Sequence, residues 1–216
     1  MFTGLIEELG TMKKINQKGN TLVLVIAAEK IMTDLHVGDS IAVNGVCLTV
    51  TKFTKDYFEA DVMPETFKHT SLASLKEGSK VNLERAMAAN GRFGGHFVSG
   101  HIDGIGTIQK RSNVENAILI EIEMPEKFSH FVLDRGSIAI DGTSLTIFKT
   151  MPNSVTVSLI PHTAKEVVLG LKREGEKVNL EFDMMAKYFY SFMQKREATP
   201  KSSGLTTQFL KENGFY

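Results

Sequence analysis

The residues best able to do chemistry fall in two short stretches. One is GRFGGHFVSGHIDG, Gly91 to Gly104, which sets His96 and His101 among glycines. The other is VCLTV, Val46 to Val50, which carries the only cysteine, Cys47. A phosphate-cradling loop needs a Lys-Ser/Thr ending, or a glycine fingerprint between a strand and a helix, and the first stretch has neither context. The two histidines do not complete a metal set, because Cys47 is the only sulfur ligand and no carboxylate stands at a familiar spacing. No metal is expected. His96 is therefore read as a hydrogen-bonded structural residue of a linker. Two readings of Cys47 stay open: a half-buried small side chain on an alternating strand, or a small polar group facing a ligand. A thiolate nucleophile would need a positive neighbour or a helix N-terminus, and the sequence displays none.

The elements that position these residues are duplicated. MFTGLIEELGTMKK at the start aligns with FVSGHIDGIGTIQK from Phe97 to Lys110, matching Gly4 with Gly100, Ile6 with Ile102 and Gly10 with Gly106, at an offset of 96. SIAVNGVCLTV, Ser40 to Val50, aligns with SIAIDGTSLTI, Ser137 to Ile147, and EGSKVNLE, Glu77 to Glu84, with EGEKVNLE, Glu174 to Glu181, both at 97. Three blocks in one order at nearly one interval mark an internal repeat. Cys47 then corresponds to Ser144, a second small polar group. Other pairs diverge: Leu5 with His101, Asp61 with Ser158, Glu65 with His162, Ala86 with Asp183. A kept scaffold with changed polar groups suits two similar molecules held in different chemical roles, with drift on solvated faces as the competing account.

Within each copy apolar residues alternate, as at Leu22, Leu24 and Ile26 or Val46, Leu48 and Val50, and glycine turns separate the runs at Lys18-Gly19-Asn20, Asn44-Gly45 and Glu77-Gly78. Only short helical pieces fit between, near Glu29 to Leu35 and Glu65 to Leu75. The fold class is all-β: two tandem six-stranded barrels, closure removing the open edges. After Asp183 the period changes, with Met185, Phe189, Phe192, Met193 and Arg196 at helical spacing. That amphipathic helix packs on its own chain or binds other subunits. A second short helix is predicted from about Thr206 to Asn213, ended by Gly214, beyond the loop-like TPKSSG segment. The units are residues 1–96, residues 97–193 including the start of the helix, and a helical tail, 194–216.

The chain has 216 residues, with 25 Lys plus Arg against 25 Asp plus Glu. This balance supplies no overall field to gather nucleic acid or acidic membrane. No Trp and only four Tyr further disfavour an oligonucleotide-binding barrel pair. No apolar stretch approaches the ~20 residues of a membrane helix. A lone cysteine and no charged-then-apolar leader suit a reducing cytoplasm.

MFTGLIEE, NGVCLTVT, MPETF, GGHFVSGHIDG, IDGTSLTI and LIPHT, in this order, resemble the riboflavin synthase family, over residues 1 to about 184. The resemblance implies a homotrimer, with lumazine synthase as a candidate associate. Each chain would have two Greek-key barrels, each holding one 6,7-dimethyl-8-ribityllumazine. Riboflavin and 5-amino-6-ribitylaminouracil would be formed without a cofactor. Carried over by motif, the amino-terminal pocket takes Gly4, Leu5, Ile6, Cys47, Leu48 and Thr49, then Asp61, Val62, Met63, Pro64, Glu65 and Thr66. The carboxyl-terminal pocket takes Gly100, His101, Ile102, Arg135, Ser144, Leu145 and Thr146, then Leu159, Ile160, Pro161, His162, Thr163 and Ala164. Ser40 and Asp183 are placed at the site by the same likeness. Arg135 stands where lysine is expected in many relatives; the charge is kept but the hydrogen-bond geometry differs.

In the implied reaction one lumazine loses a proton from its C7 methyl group, the other is activated at C7, and the two join before fragmenting. Holding two heterocycles face to face supplies about 7–11 kcal/mol. His101, an imidazole able both to take and to give a proton, is the candidate proton-transfer group. Ser40, Cys47 and Thr49 orient or activate the acceptor, and Asp183 binds a ribityl hydroxyl or assists a proton step. The alternative is a non-catalytic lumazine- or flavin-binding protein on the same scaffold.

Overall fold

A computed structural model describes residues 1–19, 21–198 and 207–215. Twelve strands form two closed antiparallel barrels. The first contains β1 (Glu8–Lys18), β2 (Thr21–Ala27), β3 (Ser40–Val43), β4 (Val46–Phe53), β5 (Tyr57–Val62) and β6 (Lys80–Arg85). Around it the order is β1-β2-β5-β4-β3-β6, a Greek key. The second contains β7 (Gly104–Val114), β8 (Ala117–Glu123), β9 (Ser137–Ile140), β10 (Thr143–Met151), β11 (Ser154–Leu159) and β12 (Lys177–Phe182) in the corresponding order. The short helical pieces are α1 (Pro64–Lys68), α2 (Pro161–Glu166) and α3 (Val168–Leu171), with 3-10 turns at Lys30–Asp34, Ser71–Ser74 and Glu126–Phe131.

The sequence dictates this locally. Asn44-Gly45 and Asp141-Gly142 both have positive φ at each residue, 46° and 79°, then 45° and 78°. That is the two-residue hairpin turn whose twist suits the flanking strands, so β3–β4 and β9–β10 are tight hairpins. Register shifts recur at matching places in the two copies, Met12/Lys14 and Ile108/Lys110, then Val50/Lys52 and Ile147/Lys149. Such bulges bend the strands enough to close a small barrel. Each barrel has its own core, one around Ile41, Leu48, Phe58 and Leu83, the other around Ile138, Leu145, Val157 and Leu180. Each such side chain contributes about 1.5–3 kcal/mol through burial.

The two barrels are joined by buried polar contacts. Asn82 Nδ2 donates to the Asp141 carbonyl at 2.8 Å, and Asn179 Nδ2 donates to the Asn44 carbonyl at 2.8 Å. A side chain on Gly45 would meet the Gly142 nitrogen at 2.6 Å, so only glycine lets the two turns touch back to back. Such buried bonds between the barrels favour a single arrangement, although Asn44 Nδ2 at the same junction has no partner among the described residues.

The helix predicted after Asp183 is α4 (Met184–Ala198), which the boundary expected at residues 193 and 194 would cut internally. A further helix, α5 (Thr207–Glu212), precedes Gly214, whose φ is 79°. TPKSSG and the expected start at Thr206 lie outside the described residues.

Candidate functional site

The segments that open the two repeats cross over. Phe2 and Val98 pair with each other, Phe2 N–H donating to the Val98 carbonyl at 2.7 Å and Val98 N–H to the Phe2 carbonyl at 3.2 Å. Gly4, at φ 77°, offers its carbonyl to the Ser144 N–H at 2.8 Å; Gly100, at φ 83°, offers its own to the Cys47 N–H at 2.9 Å. Each segment stays tied to its own barrel by a buried glutamate. Thr3 and Gly4 donate their N–H groups to Glu84, and Ser99 and Gly100 donate theirs to Glu181. Burial pushes the Glu84 carboxyl up despite the donors from Thr3 and Gly4. Ile6 accordingly packs on the second core and Ile102 on the first.

This corrects the expected grouping. Gly4 and Ile6 lie against the carboxyl-terminal barrel, while Gly100, His101 and Ile102 lie against the amino-terminal one; Leu5 lines a cleft with Asp34, Glu84 and Arg85 of the first barrel. The repeat alignment identifies equivalent residues, but it does not reveal on which barrel a segment docks.

The first cleft is about 630 Å³ and is lined by Met1, Cys47, Ser99, His101, Met184, Lys187, Tyr188 and Ser191. Beside it the outer face of the sheet carries a polar row, because Ser40 pairs with Thr49 and Thr49 with Asp61 across β3, β4 and β5. Cys47 and Thr49 share this face by strand alternation. Leu48 and Val62 point into the core instead, as do Leu145 and Leu159 in the other barrel, so these four present only backbone to the outer face. Met63 and Glu65 are exposed and Pro64 and Thr66 half-buried at the start of α1.

In the second barrel Ser137 pairs with Thr146, repeating the polar row. Ser144 replaces Cys47, and its Oγ lies 2.7 Å from His96 Nδ1. Burial pushes the His96 imidazole below its ordinary range, opposed by the Asp183 carboxylate. Asp183 lines a neighbouring cleft of about 480 Å³ with Ser137, His130, Phe131 and residues of α4. It therefore lies within electrostatic reach of His96 and does not line the cleft of Cys47 and His101. Arg135 is exposed with φ 67°, where its repeat partner is Gly38 at φ 96°. Ile160, Pro161 and His162 are exposed, Thr163 and Ala164 half-buried, at the start of α2.

Helix α4 stands between the clefts. Met184, Lys187, Tyr188 and Ser191, at helical spacing, wall the first; Met185, Ala186, Phe189, Tyr190 and Met193 wall the second. Lys187 Nζ bonds Asp103 at 2.8 and 3.0 Å, and the Tyr190 ring stacks on His130 with centroids 3.8 Å apart. Sequence reasoning missed Ser99, Lys187, Tyr188 and Ser191 as cleft residues. It also missed Ser137, which the alignment with Ser40 could have supplied.

Two copies of one profile, the lumazine binding domain, match residues 3–86 and 99–183. The riboflavin synthase of Bacillus subtilis (strain 168) is 53% identical over 215 residues, covering 100% of both chains. The chain belongs to the riboflavin synthase family. The riboflavin synthase of Actinobacillus pleuropneumoniae is 52% identical over 215 residues, again with 100% of both covered. Among solved structures, LumP complexed with 6,7-dimethyl-8-(1'-D-ribityl) lumazine matches with a TM-score of 0.76 at 26% identity, covering 84% of this chain and 99% of that one. LumP complexed with riboflavin matches at 0.78, with the same identity and coverage. As a member of this family the chain keeps both lumazine-binding repeats, and the linker carrying His96 lies between the two matched stretches.

Proposed function

We propose that this chain is a riboflavin synthase, converting two molecules of 6,7-dimethyl-8-ribityllumazine into riboflavin and 5-amino-6-ribitylaminouracil by transfer of a four-carbon unit. The observation that carries the reading is the presence, in one chain, of two equivalent barrel faces with different polar groups. One offers Cys47 with His101, the other Ser144 with His96 and Asp183. Two copies of one substrate can then be held in unlike roles. All atoms of the two substrates are found in the two products, so no oxidant or carbon donor is consumed.

Each residue is given a role by what surrounds it. His101, exposed in the first cleft, takes and returns the C7-methyl proton. Cys47, Thr49 and Ser40 orient the heterocycle beside it, while Ser144, Thr146 and Asp183 hold the second one. Face-to-face placement supplies most of the acceleration, about 7–11 kcal/mol.

Within one chain the two faces lie on different barrels, so the reading includes a homotrimer in which the amino-terminal face of one subunit meets the carboxyl-terminal face of the next. The α4 side chains Met185, Phe189 and Phe192 support it, being 63%, 68% and 62% exposed, an apolar patch suited to a subunit contact. The free thiol Cys47 suits a reducing cytoplasm.

The carrier reading draws support from the LumP structures, which are complexes with 6,7-dimethyl-8-(1'-D-ribityl) lumazine, riboflavin and flavin mononucleotide. Incubating the purified chain with 6,7-dimethyl-8-ribityllumazine alone separates the two. Riboflavin and the pyrimidine product in equal amounts are expected; bound but unchanged lumazine would establish a carrier.

A further inference from the structure

The sequence reads His96 as a structural residue, yet it touches Ser144 on strand β10 of the second barrel. The linker that carries it lies between the two matched repeats, so neither copy contains an equivalent residue. Its side chain is held firmly. The residue is 8% exposed, its N–H donates to the Thr3 carbonyl at 3.1 Å, and a side chain at the preceding Gly95 would strike that carbonyl oxygen at 1.9 Å. Nδ1 lies 2.7 Å from Ser144 Oγ, while Nε2 is buried and has no hydrogen-bond partner among the described residues.

The bare Nε2 bears on the direction of the hydrogen bond. A neutral imidazole has one N–H and one lone-pair nitrogen, and burial favours the neutral ring. An orphaned buried N–H is rarer than an under-satisfied acceptor. The proton therefore sits on Nδ1 and is donated to Ser144 Oγ, leaving the serine's own proton free to turn outward. Ser144 is half-buried on the face that also carries exposed Thr146.

Resting on the lumazine reading above, we propose that His96 is a positioning residue that fixes the Ser144 hydroxyl as a hydrogen-bond donor to an acceptor atom of the heterocycle in the carboxyl-terminal cleft. Cys47, the equivalent residue, has no imidazole from the linker behind it. The unpaired linker histidine thus makes the two matched clefts chemically unequal.

The test is a double-mutant cycle in the full-length protein, with turnover of 6,7-dimethyl-8-ribityllumazine as readout. His96→Leu should lower kcat/KM about tenfold, and His96→Asn, which keeps a polar atom near the Nδ1 position, should recover most of it. In a Ser144→Ala background the His96→Leu effect should shrink to no more than about twofold. Equal losses in both backgrounds, or no rescue by Asn, would overturn the proposal. A second measurement needs neither a folded His96 variant nor activity: nitrogen-15 spectra of labelled histidine should show His96 protonated at Nδ1, with that signal shifted by Ser144→Ala. A proton on Nε2, or an unmoved signal, would equally overturn it. Wild-type protein that binds lumazine but does not turn it over would sink the synthase reading alone, since the spectra still report on His96.

Discussion

The two barrels are built from one pattern, yet their outer faces differ where it matters for chemistry. In the first, Cys47 sits beside His101, delivered by the segment opening the second repeat. In the second, the equivalent Ser144 sits beside Leu5's segment and receives His96 from the linker. The second turn also keeps Arg135 at φ 67°, where the first has Gly38. Left-handed backbone costs a residue with a side chain roughly 1–2 kcal/mol, and such strain collects at functional sites. Duplication supplied the geometry, and the crossing segments and connectors supplied the asymmetry.

Deleting α4 and everything after Asp183 should have the largest effect, since it removes a wall from both clefts at once. Turnover should fall by at least about a hundredfold through lost substrate positioning, with a smaller particle by light scattering. An assembly of unchanged size would reject the subunit contact assigned to Met185, Phe189 and Phe192. His101→Gln should slow kcat by about a hundredfold with lumazine binding retained; full activity with an unchanged pH profile would remove His101 from proton transfer.

Arg135→Gly should separate strain from function. Equilibrium unfolding should change by no more than about 1 kcal/mol, because relief at positive φ is offset by the freedom glycine adds to the unfolded chain. Lumazine affinity should drop severalfold; unchanged affinity would mean the strain serves no ligand. The smallest effect is expected for Cys47→Ser, within about threefold of wild type because the second barrel already uses serine there. Complete inactivation of a folded variant would point to an essential thiol.

Stability should follow the same asymmetry. Burial lowers the folded-state pKa of His96 from its ordinary 6.5, so the folded protein favours the neutral ring. That contribution is complete above the unfolded value and is lost as pH falls through it toward the folded one. Unfolding free energy should therefore decline below about pH 6.5, and His96→Gln should flatten that part of the curve. An identical slope in the variant would count against a buried neutral histidine.

Much of this was legible in the sequence. Alternating residues such as Val46, Leu48 and Val50, with Asn44-Gly45 and Asp141-Gly142 at the hairpins, specify strands and tight turns locally, and the spacing of Met185, Phe189 and Phe192 marks α4. What was not legible depends on contacts between distant parts of the chain. Gly4 meets Ser144 and Gly100 meets Cys47 because the opening segments cross between barrels, which no local pattern encodes. His96 and Ser144 are 48 residues apart, and only the folded linker brings them together. The motifs NGVCLTVT and IDGTSLTI carry Leu48 and Leu145 along with their ligand-facing neighbours, but strand alternation turns both side chains inward.

The central claim is that catalysis joins the amino-terminal face of one subunit to the carboxyl-terminal face of another. Complementation tests it most directly. One variant carries Cys47→Ala, Thr49→Ala and His101→Gln; the other carries Ser144→Ala, Thr146→Ala and Asp183→Asn. Each alone should be nearly inactive. Co-refolded in equal amounts into trimers, they should regain riboflavin formation at up to about a quarter of the sites, because one junction in a closed ring then pairs two intact faces. No recovery in trimers verified as mixed by mass spectrometry would show that each site is built within a single chain.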